Sequence, residues 1–239
     1  MLYAMKMVKK TSAHSDDTRF QQVLAERNIL AEMAHPFIVQ LHYAFTTKNY
    51  YCLVLDLCTG GELFHYIQKQ GQFTLNSAKV LFAEVVLALE YLHSKNILYR
   101  DLKPENILVD ERGHLKLTDF GLCKMQFSSD MVTSSFVGSP EYMSPEILAG
   151  DSYNFSVDFY TLGVLFYEML VGLPPHYSEN KLQMYKDIRT KPARIPSILG
   201  QQVKHLLEGL LRSDPSERLG SNEGIVEIKQ HPFFADIDW

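Results

Sequence analysis

Cysteine is scarce: Cys52, Cys58 and Cys123 are the only three among 239 residues. They make no CxxC pair and no disulfide framework, which points to a reducing, intracellular (cytoplasmic) compartment. Basic tracts are missing as well. Lys and Arg number 23 against 28 Asp and Glu, a formal net charge of −5, so nucleic acid is disfavoured as a partner. The opening stretch MLYAMKMVKK has no apolar signal-peptide core. No transmembrane segment is expected either. The longest apolar run, Phe159 to Pro175, carries Glu168 and ends in two prolines, so it is read as a buried helix. Internal repeats and low-complexity segments are absent. What remains is a chain that is 46% hydrophobic and only 21% charged, enough for one good-sized core or two small lobes.

The apolar pattern changes along the chain. LYAMKMV alternates and predicts a strand, and so do IVQLHYAF and YYCLVLDL, joined by the polar turn TTKN. From Asp16, DDTRFQQVLAERNILAEM has helical spacing. CTGGEL interrupts with two glycines, and the pattern after it is mainly helical: LNSAKVLFAEVVLALEYLHS, SVDFYTLGVLFYEMLVG and QQVKHLLEGLLR. The chain is therefore expected to divide near Thr59-Gly60, with a small strand-rich portion first and a larger helical portion after it. Ligand sites favour the space between two such units.

One stretch, ILYRDLKPENILV from Ile97 to Val109, places Arg, Asp, Lys, Glu and Asn between two apolar runs. Burying such groups is costly without partners, so a site for a charged ligand is expected. Asp101 and Asn106 stand five residues apart, and TDFG at Thr118–Gly121 follows one strand-turn-strand later. Asp101, Asn106 and Asp119 all offer oxygen, the donor that Mg²⁺ takes together with phosphate oxygens. Lys103 can neutralise a transferring phosphoryl group. This is equipment for phosphoryl transfer.

With these residues in place the sequence resembles the eukaryotic protein kinase family. YRDLKPEN matches its catalytic loop, DFG its magnesium motif, YAMK at Tyr3–Lys6 the strand motif V-A-I-K, and SPE at Ser144–Glu146 the A-P-E motif. Their order and spacing follow the family over essentially the whole chain. Tyr before the Arg, GSPEYMSPE and HPFF are most similar to the AGC group, and LYAMK, LDLCTGGELF and DFGLCK to its protein kinase B and serum- and glucocorticoid-regulated types. The resemblance implies an α+β, bilobal fold: a truncated N-lobe over 1–58 and a helical C-lobe with catalytic and activation loops over 59–239.

It further implies a Ser/Thr protein kinase using ATP and Mg²⁺. Asp101 would be the catalytic base, with Lys103 and Asn106 beside it. Asn106 and Asp119 would hold Mg²⁺. Lys6 would contact the phosphates and Glu26 would pair with it. Leu55 would guard the adenine pocket, Asp56 to Cys58 would offer backbone hydrogen bonds, and Ala4 and Leu108 would flank the ring. Leu30, Leu41, Tyr99 and Phe120 match the apolar column between lobes. Asp158 would anchor the catalytic loop through its backbone N–H groups, and Glu146 would pair with Arg218.

For partners, the resemblance implies protein substrates with upstream arginines received by Glu62, Glu105 and Glu168. Phe136, Pro140 and Met143 would line an apolar pocket for the residue after the target. Leu122, after the DFG glycine, goes with serine as acceptor. Ser135 stands at the activation-loop phosphosite, where its phosphate, added by an upstream activating kinase, would pair with Arg100 and Lys124. The family's glycine-rich loop and C-terminal tail have no counterpart here, and no GxGxxG occurs. Weakened ATP binding and an exposed sheet edge are expected from this. The alternative function is a pseudokinase or scaffold, a binding module with weak or no ATP turnover.

Overall fold

The alternating residues of Tyr3–Lys9 form strand β1, whose side chains are exposed and half-buried in turn. The computed structural model describes residues 2–10, 16–127 and 131–239. β1 pairs antiparallel with β3 (Tyr50–Asp56), and β3 pairs antiparallel with β2 (Leu41–Thr46). Helix α1 (Asp16–Glu32) follows β1, and Glu26, Ile29 and Leu30 on it are buried.

One expected strand is split. Ile38 does not join β2. It makes a single parallel bridge to Leu117, while Val39 N–H donates to Leu117 O at 3.0 Å and Leu117 N–H to Phe37 O at 2.9 Å. The apolar run from Ile38 therefore serves two sheets, because the backbone groups of β6 need partners as much as those of β3 do. β6 (Leu115–Leu117) belongs to a second small sheet with β4 (Gly61–Glu62) and β5 (Ile107–Val109), in the order β4-β5-β6. The stretch CTGGEL thus contains a strand that its glycines conceal. Gly60 must be glycine here, since a Cβ would lie 2.8 Å from the carbonyl oxygen of Val109.

The helical portion is built on two long helices, as the pattern predicts. α3 (Leu75–Ser94) starts where the Thr74 hydroxyl accepts from Ser77 N–H. α5 (Ser156–Val171) is buried from Ser156 through Leu170, so its uniform apolarity reflects an interior position. Among the described residues no helix is long and apolar enough to cross a membrane. α5 ends at Gly172, whose φ of 92° and close approach to the Gly71 carbonyl admit no side chain. The shorter helices are α2 (Leu63–Gln70), α4 (Pro145–Ala149), α6 (Lys181–Thr190), α7 (Gln201–Leu210) and α8 (Ile225–Lys229). One apolar cluster runs from Ile29, Leu30 and Leu53 through Leu117 and Phe120 to Phe233 and Phe234. Residues before and after Thr59-Gly60 thus share one core.

Candidate functional site

The loop before β5 brings its charged groups together. Asn106 Nδ2 donates to the Asp101 carbonyl at 2.8 Å and to Asp101 Oδ2 at 2.7 Å. Lys103 Nζ lies 3.2 Å from Asp101 Oδ2 and 2.7 Å from Ser139 Oγ, and that hydroxyl donates to Asp101 Oδ1 at 3.1 Å. Asp101 and Asn106 are buried, so each polar atom needs these partners.

The loop is held from beneath by Asp158 on α5. Its fully buried carboxylate accepts from Tyr99 N–H at 3.0 Å and Arg100 N–H at 2.8 Å, and lies 2.7 Å from His93 Nε2. The backbone donors were legible in the sequence; His93, 65 residues away, was not. Asp158 also holds Arg100 in a left-handed conformation, φ 70°, that a long side chain seldom takes.

Facing the loop, Lys6 on β1 lies 2.7 Å from Glu26 Oε1 and 3.2 Å from Asp119 Oδ1. Burial works against the Lys6 charge, but the two carboxylates outweigh it and hold its pKa above the ordinary lysine range. Asp119 has φ 57° and a half-exposed side chain. Because Asn106 spends its amide N–H groups on Asp101, its Oδ1 is left without a donor among the described residues. An amide oxygen and a nearby carboxylate suit a cation that keeps waters or shares phosphate oxygens. No cluster of three or more His, Cys, Asp or Glu able to hold a metal occurs among the described residues. Mg²⁺ shared with a nucleotide fits this donor set.

Residues 1–234 match the protein kinase domain family. This chain belongs to that family. It is 49% identical to the serine/threonine-protein kinase gad8 of Schizosaccharomyces pombe over 238 residues, which is 100% of this chain and 42% of that protein. It is 48% identical to the serine/threonine protein kinase ypkA of Aspergillus fumigatus over 240 residues, 100% of this chain and 37% of that protein. It is 45% identical to the serine/threonine-protein kinase Sgk1 of Homo sapiens over 240 residues, 100% of this chain and 56% of that protein. The chain thus spans about half or less of the length of these relatives.

In this kinase domain Ala4 and Leu55 are cross-strand partners in β1 and β3, with Leu55 buried and Ala4 half-buried. Leu108 is half-buried in β5. Asp56 spends its side chain on His42, Lys116 and Gln40 N–H, and its own N–H on Gln40 O. The backbone of Leu57 and Cys58, by contrast, makes no backbone hydrogen bond among the described residues. Burial pushes the Cys58 thiol up to about 11.

The three acidic residues differ. Glu62 is exposed. Glu105 has a buried Oε2 with no partner. Glu168 is buried and accepts a short hydrogen bond from Tyr142. Burial raises its pKa to about 7, with Glu105 and Glu141 adding to the rise against Tyr142. Phe136, Pro140 and Met143 have different surroundings. Phe136 is 61% exposed beside Leu148 and Leu182, and Pro140 is half-buried. Met143 packs into a buried cluster with Leu98, Phe127, Ile147, Tyr153 and Val157.

Ser135 is exposed, and its carbonyl accepts from Tyr153 OH at 2.8 Å. The same phenol accepts from Arg100 Nη1 at 3.4 Å. Arg100 Nε donates to Leu122 O at 2.7 Å, and Lys124 Nζ lies over the Phe127 ring at 5.4 Å. Neither cation has a carboxylate partner among the described residues. Leu30, Tyr99 and Phe120 are buried, Leu41 packs against their cluster, and the Tyr99 and Phe120 rings meet edge to face at 5.6 Å. Glu146 and Arg218 form a buried pair at 2.6 Å. Ser139, Tyr142 and Tyr153 join His93 as site residues that motif reading passed over. Ser139 and Tyr142 lay inside GSPEYMSPE, but no spacing rule ties a serine or tyrosine there to Asp101 or Glu168.

Proposed function

We propose that this domain transfers the γ-phosphoryl group of ATP to a serine, or threonine, of basic protein substrates. The observation that carries the proposal is the closed cluster of Asp101, Lys103, Asn106 and Ser139. A carboxylate held this firmly can orient a substrate hydroxyl and accept its proton. Mg²⁺ held by Asn106 and Asp119 would supply charge neutralisation on the phosphates. Lys103 neutralises charge beside Asp101, and Lys6, kept forward by Glu26, receives phosphate oxygens. Ala4, Leu55 and Leu108 enclose the adenine, which hydrogen-bonds the backbone of Asp56 to Cys58.

Substrate arginines are received by Glu62, Glu105 and Glu168. The unpartnered Oε2 of Glu105 supports this, since a guanidinium satisfies such an oxygen. Phe136 and Pro140 offer apolar contact to the residue after the target, with Met143 in the wall behind. Ser135 is the phosphorylation site of an upstream kinase; the carboxylate-free cations Arg100 and Lys124 are its phosphate's partners. An intracellular location and AGC-type specificity accompany this function.

The test is incorporation of labelled phosphate from ATP and Mg²⁺ into a serine peptide with upstream arginines. Asp101→Ala should keep nucleotide binding and lower turnover by about 10²–10⁴-fold. Equal rates in the two proteins would point instead to a scaffold.

A further inference from the structure

The proposed site asks two things of a substrate: an arginine shortly upstream of the target hydroxyl, and an apolar residue directly after it. The chain itself meets both demands once. Thr190, Ser197, Ser213, Ser216 and Ser221 are its serines and threonines with an arginine within five residues upstream. Four of them are followed by Lys191, Asp214, Glu217 and Asn222, none of which is apolar. Ser197 alone is followed by a large apolar residue, Ile198, with Arg194 upstream.

The fold presents this stretch to solvent. Arg194 and Ser197 are exposed, and Ile198 is 91% exposed. Among the described residues the Arg194 side chain pairs with no carboxylate, and the Ser197 hydroxyl makes no hydrogen bond. Ser221 is the opposite case. Its hydroxyl donates to the Ser216 carbonyl at 2.9 Å, and Arg218 upstream of it is fully buried against Glu146.

The backbone also suits a cleft that takes an extended peptide. Lys191 (φ −126°, ψ 139°) and Pro196 (φ −57°, ψ 129°) are extended. The N–H groups of Arg194 and Ser197 make no backbone hydrogen bond among the described residues. Ser197–Leu199 is one 3₁₀ turn, closed by Leu199 N–H to Pro196 O at 3.2 Å and Gly200 N–H to Ser197 O at 3.4 Å. So short and exposed an element opens at small cost. Its flanks are tied down: Ala193, Ile195 and Leu199 pack against the core, and Tyr167 OH donates to Arg194 O at 3.0 Å. That core includes α5, whose Asp158 holds the catalytic loop. Ser197 and Asp101 of one chain are thus fixed in one body, and the Asp101 that reaches Ser197 belongs to a second copy.

We propose that Ser197 is a phosphorylation site, modified by another copy of this same domain. The proposal rests on the kinase activity proposed above and names one substrate for it. Asp101 of the acting copy takes the Ser197 proton, and Oγ bonds the γ-phosphorus of ATP. The bond from that phosphorus to the β,γ-bridging oxygen breaks, and ADP leaves.

The test mixes the whole 239-residue chain, ATP and Mg²⁺ with an isotope-labelled Asp101→Ala chain as acceptor. A serine peptide with upstream arginines is in the same tube, and phosphorylated sites are mapped by mass spectrometry. Phosphate is expected on Ser197 of the labelled acceptor. Arg194→Gln in the acceptor removes a side chain that pairs with no carboxylate in the fold, and should lower the rate at Ser197 about ten- to hundredfold. Ile198→Asp in the acceptor should lower it as well, while phosphorylation of the peptide stays unchanged in both mixtures. A phosphorylated peptide beside an unmodified Ser197 overturns this proposal and leaves the kinase activity standing. Undiminished phosphorylation of Ser197 in the Arg194→Gln acceptor overturns it too. Transfer to neither peptide nor Ser197 overturns both.

Discussion

Glu26 reaches from α1 to within 2.7 Å of Lys6 Nζ on β1, and the carboxylate is almost wholly buried while the ammonium is one-third exposed. The pair therefore positions the lysine more than it stabilises the fold. Glu26→Gln keeps the shape and removes the charge. A hydrogen bond to a charged group contributes about 1.5–3 kcal/mol. The KM for ATP should rise about tenfold or more, with little change in the thermal midpoint. Steady-state kinetics beside calorimetry would separate the two effects, and a large fall in midpoint would contradict the positioning role.

The proposed recognition of arginine should depend on pH through Glu168. Burial raises its pKa to about 7. Below that value the folded protein holds the carboxyl protonated, and a neutral acid attracts a guanidinium weakly. The KM for a peptide with upstream arginines should therefore fall as pH rises from 6 to 8. Glu168→Gln should flatten this dependence. Stability moves the other way: a carboxyl that binds its proton more tightly when folded contributes stability that is lost as pH rises through about 7.

Acid should loosen the C-terminal end through two histidines. His231 Nδ1 accepts from Phe233 N–H at 3.2 Å, so its Nε2 carries the proton and donates to His205 Nδ1 at 2.7 Å. Burial first, and the neighbouring His205 second, lower the His231 pKa below 6.5. The unfolded chain then binds this proton more readily, so stability is intact above 6.5 and falls as pH drops through that value. The slope is at most about 1.4 kcal/mol per pH unit for one group. Urea midpoints at pH 7.5 and 5.5 should diverge less in His231→Asn than in the parent.

The Glu146–Arg218 pair should behave as a buried charge pair does. Arg218 is fully buried, and also donates to the Ser156 and Arg212 carbonyls. Glu146→Ala leaves that guanidinium without its countercharge, at a cost of about 3–5 kcal/mol. The double change Glu146→Ala with Arg218→Met should recover part of the loss, measured by urea unfolding. Simple additivity of the two single changes would contradict coupling.

Local chemistry made much of the molecule readable from sequence. α3 begins at Leu75 and ends at Ser94, the limits of the helical stretch LNSAKVLFAEVVLALEYLHS. Alternation located β1, and the catalytic loop declared itself by placing charged groups between apolar runs. These signals depend on residues within a few positions of one another, and a helix period or a cap needs no distant partner.

Tertiary structure decided the rest. Whether Ile38 joins β3 or Leu117 depends on which backbone groups lie open nearby, and an apolar run looks the same in either case. His93, Ser139 and Tyr142 are ordinary polar residues by sequence. Each becomes part of the site through a hydrogen bond to a carboxylate 65, 38 or 26 residues away. Such pairs form because the low-dielectric interior makes an unpaired carboxylate costly, and the partner is whichever donor the packing brings close.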